Sequence, residues 1–139
     1  MPSIRFPASA VPLLPLCKGH GENFIFRTYA DFIAFLAAYG FHRLSEGCVP
    51  LPAKPVCVDA PNAIDLEVFS NRALYSNLLI MALAHDPTRG IAENETLLSK
   101  FIEQVASLGA DALSLPADIN PSWTLTDIIL NHSNDRLKI

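Results

Sequence analysis

The placement of proline divides this 139-residue chain into segments that can form helices and segments that cannot. Of its eleven prolines, four lie in residues 1–15 and four more in residues 50–61. Proline fixes its own φ and has no backbone N–H, so a regular α-helix does not run through such clusters. We therefore predict an extended N-terminal segment over 1–23 with one short helical turn near 11–16, a long proline-rich loop over 44–62, and helices in the stretches between and after them.

The first predicted helix spans residues 29–39. Thr28 is suited to cap its N-terminus, and Asp31, three residues later, can complete a capping box. Apolar side chains then recur at helical spacing, at Phe32, Phe35, Leu36 and Tyr39. Gly40 is predicted to end the helix, because glycine is common just past a helix C-terminus.

Two more helices are predicted over 71–84 and 93–108. The run from Leu78 to Ala84 is apolar on nearly every side, which predicts that helix 71–84 is central in the core. In helix 93–108 the apolar stripe comprises Leu98, Phe101, Ile102, Val105 and Leu108, and the opposite polar face comprises Glu95, Lys100, Glu103 and Gln104. Gly109 is predicted to end this helix.

The overall prediction is a single mainly α domain over residues 1–139, a compact bundle of about four helices. A last short helix is expected after Pro121, within a C-terminal extension over 114–139. Alternating apolar residues near 56–58 and 66–69 suggest a short extended pair. Half of the residues are hydrophobic, as expected of a packed globular domain.

Charge and cysteine content limit the classes of protein that fit. A net charge of −4 argues against holding nucleic acid by bulk electrostatics. Residues 1–58 carry five basic and three acidic residues, and residues 59–139 carry five basic and eleven acidic, so an anionic ligand is expected on the N-terminal half. Three cysteines, an odd number, favour a reducing cytoplasmic compartment. The run Leu78–Ala84 is far shorter than the about 20 residues of a membrane span.

Four residues have the chemistry of a zinc site. Cys17 and His20 show the Cys-x-x-His spacing, and Cys48 and Cys57 would complete a tetrahedral set. Eight residues separate the last two cysteines, however, whereas paired zinc ligands are typically two to four residues apart. Three isolated cysteines acting as small hydrophobic residues explain the pattern equally well. We therefore predict no metal and no cofactor.

The sequence predicts no catalytic centre. No histidine lies in a recognisable signature with a cysteine, and His85 and His132 are interpreted as side chains that favour helix C-termini. No glycine-rich phosphate loop is present. The acidic pairs Asp65/Glu67 and Glu93/Glu95 resemble metal-nuclease carboxylates only in composition and are interpreted as surface residues. A small metal-dependent nuclease or hydrolase is kept as an alternative.

Three basic residues, Arg27, Arg43 and Lys54, are the candidates for binding nucleic acid or a partner. Arg27 precedes the first predicted helix and Arg43 follows it, so a helix of about 17 Å separates them. At that distance they would straddle an extended anionic surface and would not hold one phosphate together. Ordinary solvated charge is the alternative interpretation.

One part of the chain resembles a known family. The segment is Phe26-Arg27-Thr28-Tyr29-Ala30-Asp31, continuing through Phe35-Leu36-Ala37-Ala38-Tyr39-Gly40-Phe41 to Arg43. It is similar to the opening motif of the Dnd system-associated accessory proteins, which are encoded beside the bacterial genes for DNA phosphorothioation and its linked restriction machinery. Shorter blocks extend the resemblance over about 26–113, namely Leu66-Glu67-Val68-Phe69, Leu78, Ile80, Ala82-Leu83-Ala84, Asp86, Phe101 and Gly109.

The resemblance implies a role in bacterial defence and supplies no catalytic residues. We therefore predict a non-catalytic accessory or adaptor protein of a phosphorothioation-dependent restriction system, bound to larger protein subunits of that system. A protein that binds DNA or phosphorothioate directly through Arg27, Arg43 and Lys54 is the second prediction, and the small metal-dependent nuclease or hydrolase is the third.

Overall fold

The computed structural model describes residues 2–19, 24–47, 49–59, 61–71 and 73–113. The fold is mainly helical, as predicted. Its α-helices in these ranges are α1 (Tyr29–Ser45), α2 (Leu66–Asn71), α3 (Tyr75–His85) and α4 (Glu95–Leu113), and a 3₁₀ helix covers Ala8–Leu16. The helix predicted after Pro121 and the rest of the 114–139 extension lie outside the described residues.

Two short antiparallel strand pairs fasten the N-terminal segment to the middle of the chain. Strand β1 (Ser3–Ile4) pairs with β4 (Ile64–Asp65), and β2 (Phe6–Pro7) pairs with β3 (Cys57–Val58). The prediction of an extended segment near 56–58 is confirmed, but its partner is residues 6–7. The segment 66–69 is helical instead of extended, because the chain leaves β4 directly into α2.

The 3₁₀ helix uses the prolines that prevent an α-helix. It has three residues per turn, so side chains three apart stack on one face. Ala10, Leu13 and Leu16 follow that spacing and are buried, while Pro12 and Pro15 share another face that is less covered. The N-terminal segment thus places a continuous apolar edge on the core, which a helical turn confined to 11–16 would not do.

Thr28 caps α1 as predicted. Its Oγ1 accepts a hydrogen bond from the Asp31 backbone N–H (3.1 Å) and donates one to Asp31 Oδ2 (2.8 Å). Aromatic rings then fix the helix against the segments before it, with ring centroids 5.7 Å apart for Phe6 and Phe32 and 5.4 Å apart for Phe26 and Phe35. The capped N-terminus of α1 is therefore held in place from two directions.

Neither Gly40 nor Gly109 ends a helix, contrary to the prediction. Gly40 lies inside α1, which continues to Ser45, and Gly109 lies inside α4, which continues to Leu113. A Cβ on Gly40 would overlap the Val105 carbonyl oxygen, and a Cβ on Gly109 would overlap the Leu36 carbonyl oxygen. The two glycines let the backbones of α1 and α4 touch, and their cross-contacts show that the helices run antiparallel.

The central helix is α4, and the prediction that helix 71–84 occupies this position is wrong. Most residues of α4 from Leu98 onward are buried, including Glu103, which the stripe analysis placed on the polar face. In α3 the buried residues are Leu78, Met81 and Ala82, whereas Ile80 is 62% exposed. The apolar run in α3 therefore partly faces outward.

Backbone geometry sets the remaining helix boundaries. Ala73 has a positive φ of 59°, so a turn separates α2 from α3 and the helix predicted to begin at 71 begins at Tyr75. The Asp86 carboxylate accepts hydrogen bonds from the Thr88 and Ile91 backbone N–H groups just past the end of α3. The side chain of Asn94 caps α4 by accepting from Thr96 N and Leu97 N.

No helix in the described ranges combines the length and apolarity needed to cross a lipid bilayer.

Replacing either contact glycine should destabilise the domain. Gly40→Ala and Gly109→Ala each place a methyl group inside the backbone of the facing helix, so α1 and α4 must separate. We expect each substitution to lower the free energy of unfolding by about 2–4 kcal/mol, measured by urea denaturation. Ala84→Ser, which adds one heavy atom at an exposed helical position, should change it by less than about 0.5 kcal/mol. Wild-type stability in Gly40→Ala would contradict the close packing of the two helices.

Candidate functional site

The three predicted binding residues do not form one site. Arg27 precedes α1, and Arg43 lies in its last turn, so the rise of the helix from Tyr29 to Arg43, about 21 Å, separates them. Lys54 is exposed on the segment between α1 and β3, which Gln104 of α4 fastens by donating a hydrogen bond from Nε2 to the Pro52 carbonyl (2.9 Å). The binding role of these residues stays a prediction.

The structure instead brings a different cation beside Arg27. Cys17 and Phe26 form an isolated parallel β-bridge, and Lys18 N donates to the Phe26 carbonyl (2.9 Å). The next residue on each side of that bridge is a cation, Lys18 on one segment and Arg27 on the other. Cys17 is buried, whereas Lys18 and Arg27 are exposed, so the two cations lie on the solvent side of the bridge.

A cavity of about 240 Å³ lies at this cation pair. Its lining comprises Cys17, Lys18, Arg27, Thr28 and Tyr29. In the described part of the chain, neither cation has a hydrogen-bond or ion-pair partner. Sequence reasoning missed Lys18 because nine positions separate it from Arg27, and only the β-bridge makes them neighbours.

A buried carboxylate organises the opposite end of the N-terminal segment. Glu103 Oε2 accepts from the Arg5 backbone N–H (2.7 Å) and from Arg5 Nε (3.2 Å), while Oε1 accepts from Arg5 Nη2 (3.2 Å). The Glu103 side chain is 10% exposed and that of Arg5 is 53% exposed. Hydrogen bonding to Glu103, more than the charge of that carboxylate, raises the pKa of Arg5 above its ordinary value.

A polar cavity of about 430 Å³ borders this ion pair between β1 and α4. Its lining comprises Pro2, Ser3, Arg5, Thr96, Ser99, Lys100 and Glu103. Ser99 Oγ is buried and has no hydrogen-bond partner among the residues that the structure describes. The charge of Arg5 is already satisfied by Glu103, and Asp59 is near enough to act on it as well. Lys100 is the second cation of the lining, and Glu103 is the carboxylate that Arg5 pairs with.

An apolar groove of about 360 Å³ runs between α1 and α3. Its lining comprises Ala34, Ala38, Phe41, Leu74, Asn77, Leu78, Ile80 and Met81, none of which is charged. The α1 side consists of Phe41 and of two alanines one turn apart. Ile80 stands at the groove and is largely exposed. The sequence did not identify this surface, because the apolar run in α3 was interpreted as core.

The described cysteines are poor nucleophiles. Burial raises the pKa of Cys17 to about 12, so its thiol stays protonated at neutral pH. Burial also raises the pKa of Cys57, and the nearby Glu103 carboxylate adds to that increase. His20 and Cys48, the other members of the candidate zinc set, lie outside the described residues.

The predicted acidic pairs are rearranged by the fold. Glu67 of α2 and Glu95 of α4 line one cavity of about 370 Å³ together with Tyr75. Within the described ranges, His, Cys, Asp and Glu side chains form no group of three or more that could hold a metal ion. His85 stacks on Phe101 with ring centroids 5.1 Å apart, so packing accounts for its position.

Removing the Glu103 side chain should show how much its carboxylate contributes to the free energy of unfolding. Glu103→Ala leaves the Arg5 backbone N–H without its acceptor, and we expect a loss of about 1–3 kcal/mol in the free energy of unfolding. Glu103→Gln keeps one acceptor oxygen for the Arg5 backbone N–H and loses the acceptor of Arg5 Nη2 together with the ion pair, whose Arg5 partner is half exposed, so its cost should be smaller, under about 1 kcal/mol. Chemical denaturation of both variants measures the difference. Equal losses would show that charge, and not the hydrogen bond to the N–H, is the main contribution.

The raised pKa of Cys17 predicts slow alkylation. With iodoacetamide at pH 8, the thiolate fraction of Cys17 is small and its side chain is buried, so the native protein should leave this residue unmodified. Peptide mapping by mass spectrometry before and after addition of urea measures this. Rapid labelling of Cys17 in the native protein would contradict the structure and would reopen a cysteine nucleophile.

Comparison with known proteins identifies no family for this chain. No protein-family model matches it, and neither a curated protein nor a solved structure gives a significant match.

Proposed function

We propose that this protein is a non-catalytic adaptor that binds a larger subunit of a bacterial DNA phosphorothioation-dependent restriction system through the groove between α1 and α3. The observation that carries the proposal is the uncharged groove with Ile80 at its edge, 62% exposed. Exposing a large aliphatic side chain beside an apolar cavity is unfavourable in water, and a partner surface relieves that cost.

The shape of the groove favours an amphipathic helix as its occupant. Ala34 and Ala38 are small, whereas Phe41, also of α1, and Met81 of α3 are larger. A helix presents apolar side chains at positions i, i+3 or i+4, and i+7, and inserts them into such a groove between two other helices. The lining has no charged residue to pair with. We therefore infer that the partner supplies a helix whose inserted face is aliphatic or aromatic.

The restriction-system setting rests on the resemblance of the segment from Phe26 to Arg43. The structure gives part of that segment a structural role. Thr28 caps α1, Gly40 permits contact with α4, and Ala38 lines the groove. The residues of this motif therefore contribute to the packing of α1 on α4 and to the groove that we propose as the docking surface.

Substitution at Ile80 tests the adaptor. Ile80→Asp places a charge in the uncharged groove at an exposed position, so it should abolish binding and leave folding intact. The tagged protein is co-expressed with the subunits of a phosphorothioation-linked restriction operon and purified at physiological salt. We expect wild type to retain one large subunit and Ile80→Asp to lose it, with circular dichroism confirming that the variant remains folded.

Val56→Asp is the matched control, because Val56 is 72% exposed, is not among the groove residues and lies on the segment before β3. It should retain the subunit. Failure of wild type to retain any subunit of the operon would contradict the adaptor. A wild-type dimer that Ile80→Asp dissociates, measured by analytical ultracentrifugation, would show that a second copy of this chain occupies the groove and would also contradict it.

The geometry gives less support to the other two predicted functions, the DNA-binding protein and the metal-dependent nuclease or hydrolase. A DNA-binding surface made of Arg27, Arg43 and Lys54 is divided by the length of α1, and a metal-dependent nuclease would have to be built around the two carboxylates of Glu67 and Glu95.

A further inference from the structure

We propose that Lys18 and Arg27 form a binding site for a single phosphate group at the N-terminal end of α1. The proposal is independent of the apolar groove, and it replaces the predicted Arg27, Arg43 and Lys54 surface with a compact site. It concerns the phosphate oxyanion itself, whether that group belongs to a free phosphomonoester or to a nucleic-acid backbone.

The backbone forces the two cations together. The isolated bridge between Cys17 and Phe26 sets the two backbone segments side by side at that point, and bridged backbones lie about 4.8 Å apart. Lys18 and Arg27 each follow a bridged residue, and both line the same cavity. Two like charges held this close repel each other, and in the described part of the chain neither has an anionic partner. A bound anion would remove that repulsion.

The space between them suits a group of limited size. The cavity of about 240 Å³ is lined by both cations and by Thr28 at the start of α1. Arg27 offers a planar fork of N–H donors and Lys18 a compact ammonium, two kinds of donor that commonly bind phosphate oxygens. The N-terminal dipole of α1 adds a further favourable contribution for an anion.

The acidic residue at this end of α1 is already engaged. Asp31 Oδ2 accepts a hydrogen bond from Thr28 Oγ1 (2.8 Å), which keeps the carboxylate within the capping arrangement. Lys18, Arg27 and Asp31, the described charges at this end of α1, therefore sum to one positive charge. This agrees with the excess of basic residues in positions 1–58 of an otherwise acidic chain.

Titration followed by NMR tests the site. Inorganic phosphate, a nucleoside monophosphate and a short DNA duplex are added separately to the full chain at low ionic strength. We expect backbone amide shifts concentrated at residues 17–19 and 27–31. Saturation by phosphate or the monophosphate would identify a phosphomonoester as the ligand, and saturation by DNA alone would identify the backbone diester. No saturable shift with any of the three probes would overturn the proposal.

Lys18→Gln and Arg27→Gln should each weaken the binding on the order of tenfold or more, because each removes a charged donor. With DNA as the ligand, each should also reduce the slope of log K against log salt by about one. Lys54→Gln removes a cation that is also exposed but lies on another segment, and it is the control.

Equal weakening by Lys54→Gln, or unchanged affinity in both site variants, would show only general attraction between charges and would overturn the site. Loss of the groove-bound subunit in Ile80→Asp with phosphate binding intact would separate the two proposals.

Discussion

The direct contact between the backbones of α1 and α4 is the constraint on which the rest of the fold depends. Gly40 and Gly109 are the residues that permit it, since any side chain at either position would enter the backbone of the opposite helix. With the two helices touching, α4 is enclosed by α1, the 3₁₀ helix and the strands β1 and β2. The helix pair therefore acts as the base on which the N-terminal segment and α3 are placed.

The N-terminal segment is consequently part of the core and not an extension of it. Ile4 and Phe6 are fully buried, and the Arg5 backbone between them is held by the carboxylate of Glu103 from α4. Glu103 could not remain buried without the three donors that Arg5 supplies, because an unpaired buried carboxylate is strongly unfavourable. The hydrogen bonds from Arg5 to Glu103 thus hold the N-terminal strands against the central helix.

Both proposed surfaces are consequences of this arrangement. Because α4 takes the central position, α3 lies at the periphery and its apolar residues remain available at the groove beside Ala34 and Ala38. Because the chain after the 3₁₀ helix returns beside the start of α1, Lys18 meets Arg27. An apolar groove and a cationic pocket are chemically different, so the two surfaces suit different ligands.

Local rules predicted from the sequence what depends on neighbouring residues. The mainly helical fold, the Thr28 cap and the buried stripe of α4 follow from hydrogen-bonding capacity and from helical spacing, which the chain carries in its order of residues. Long-range packing decided the rest. Gly40 and Gly109 have the same local preferences as terminating glycines. Glu103 has the same polarity as a surface carboxylate, and Lys18 lies nine positions from Arg27 along the chain. Whether such a residue ends a helix, lies buried or joins a site depends on the segment that packs against it. That segment can be about a hundred residues away along the chain, as Arg5 is from Glu103.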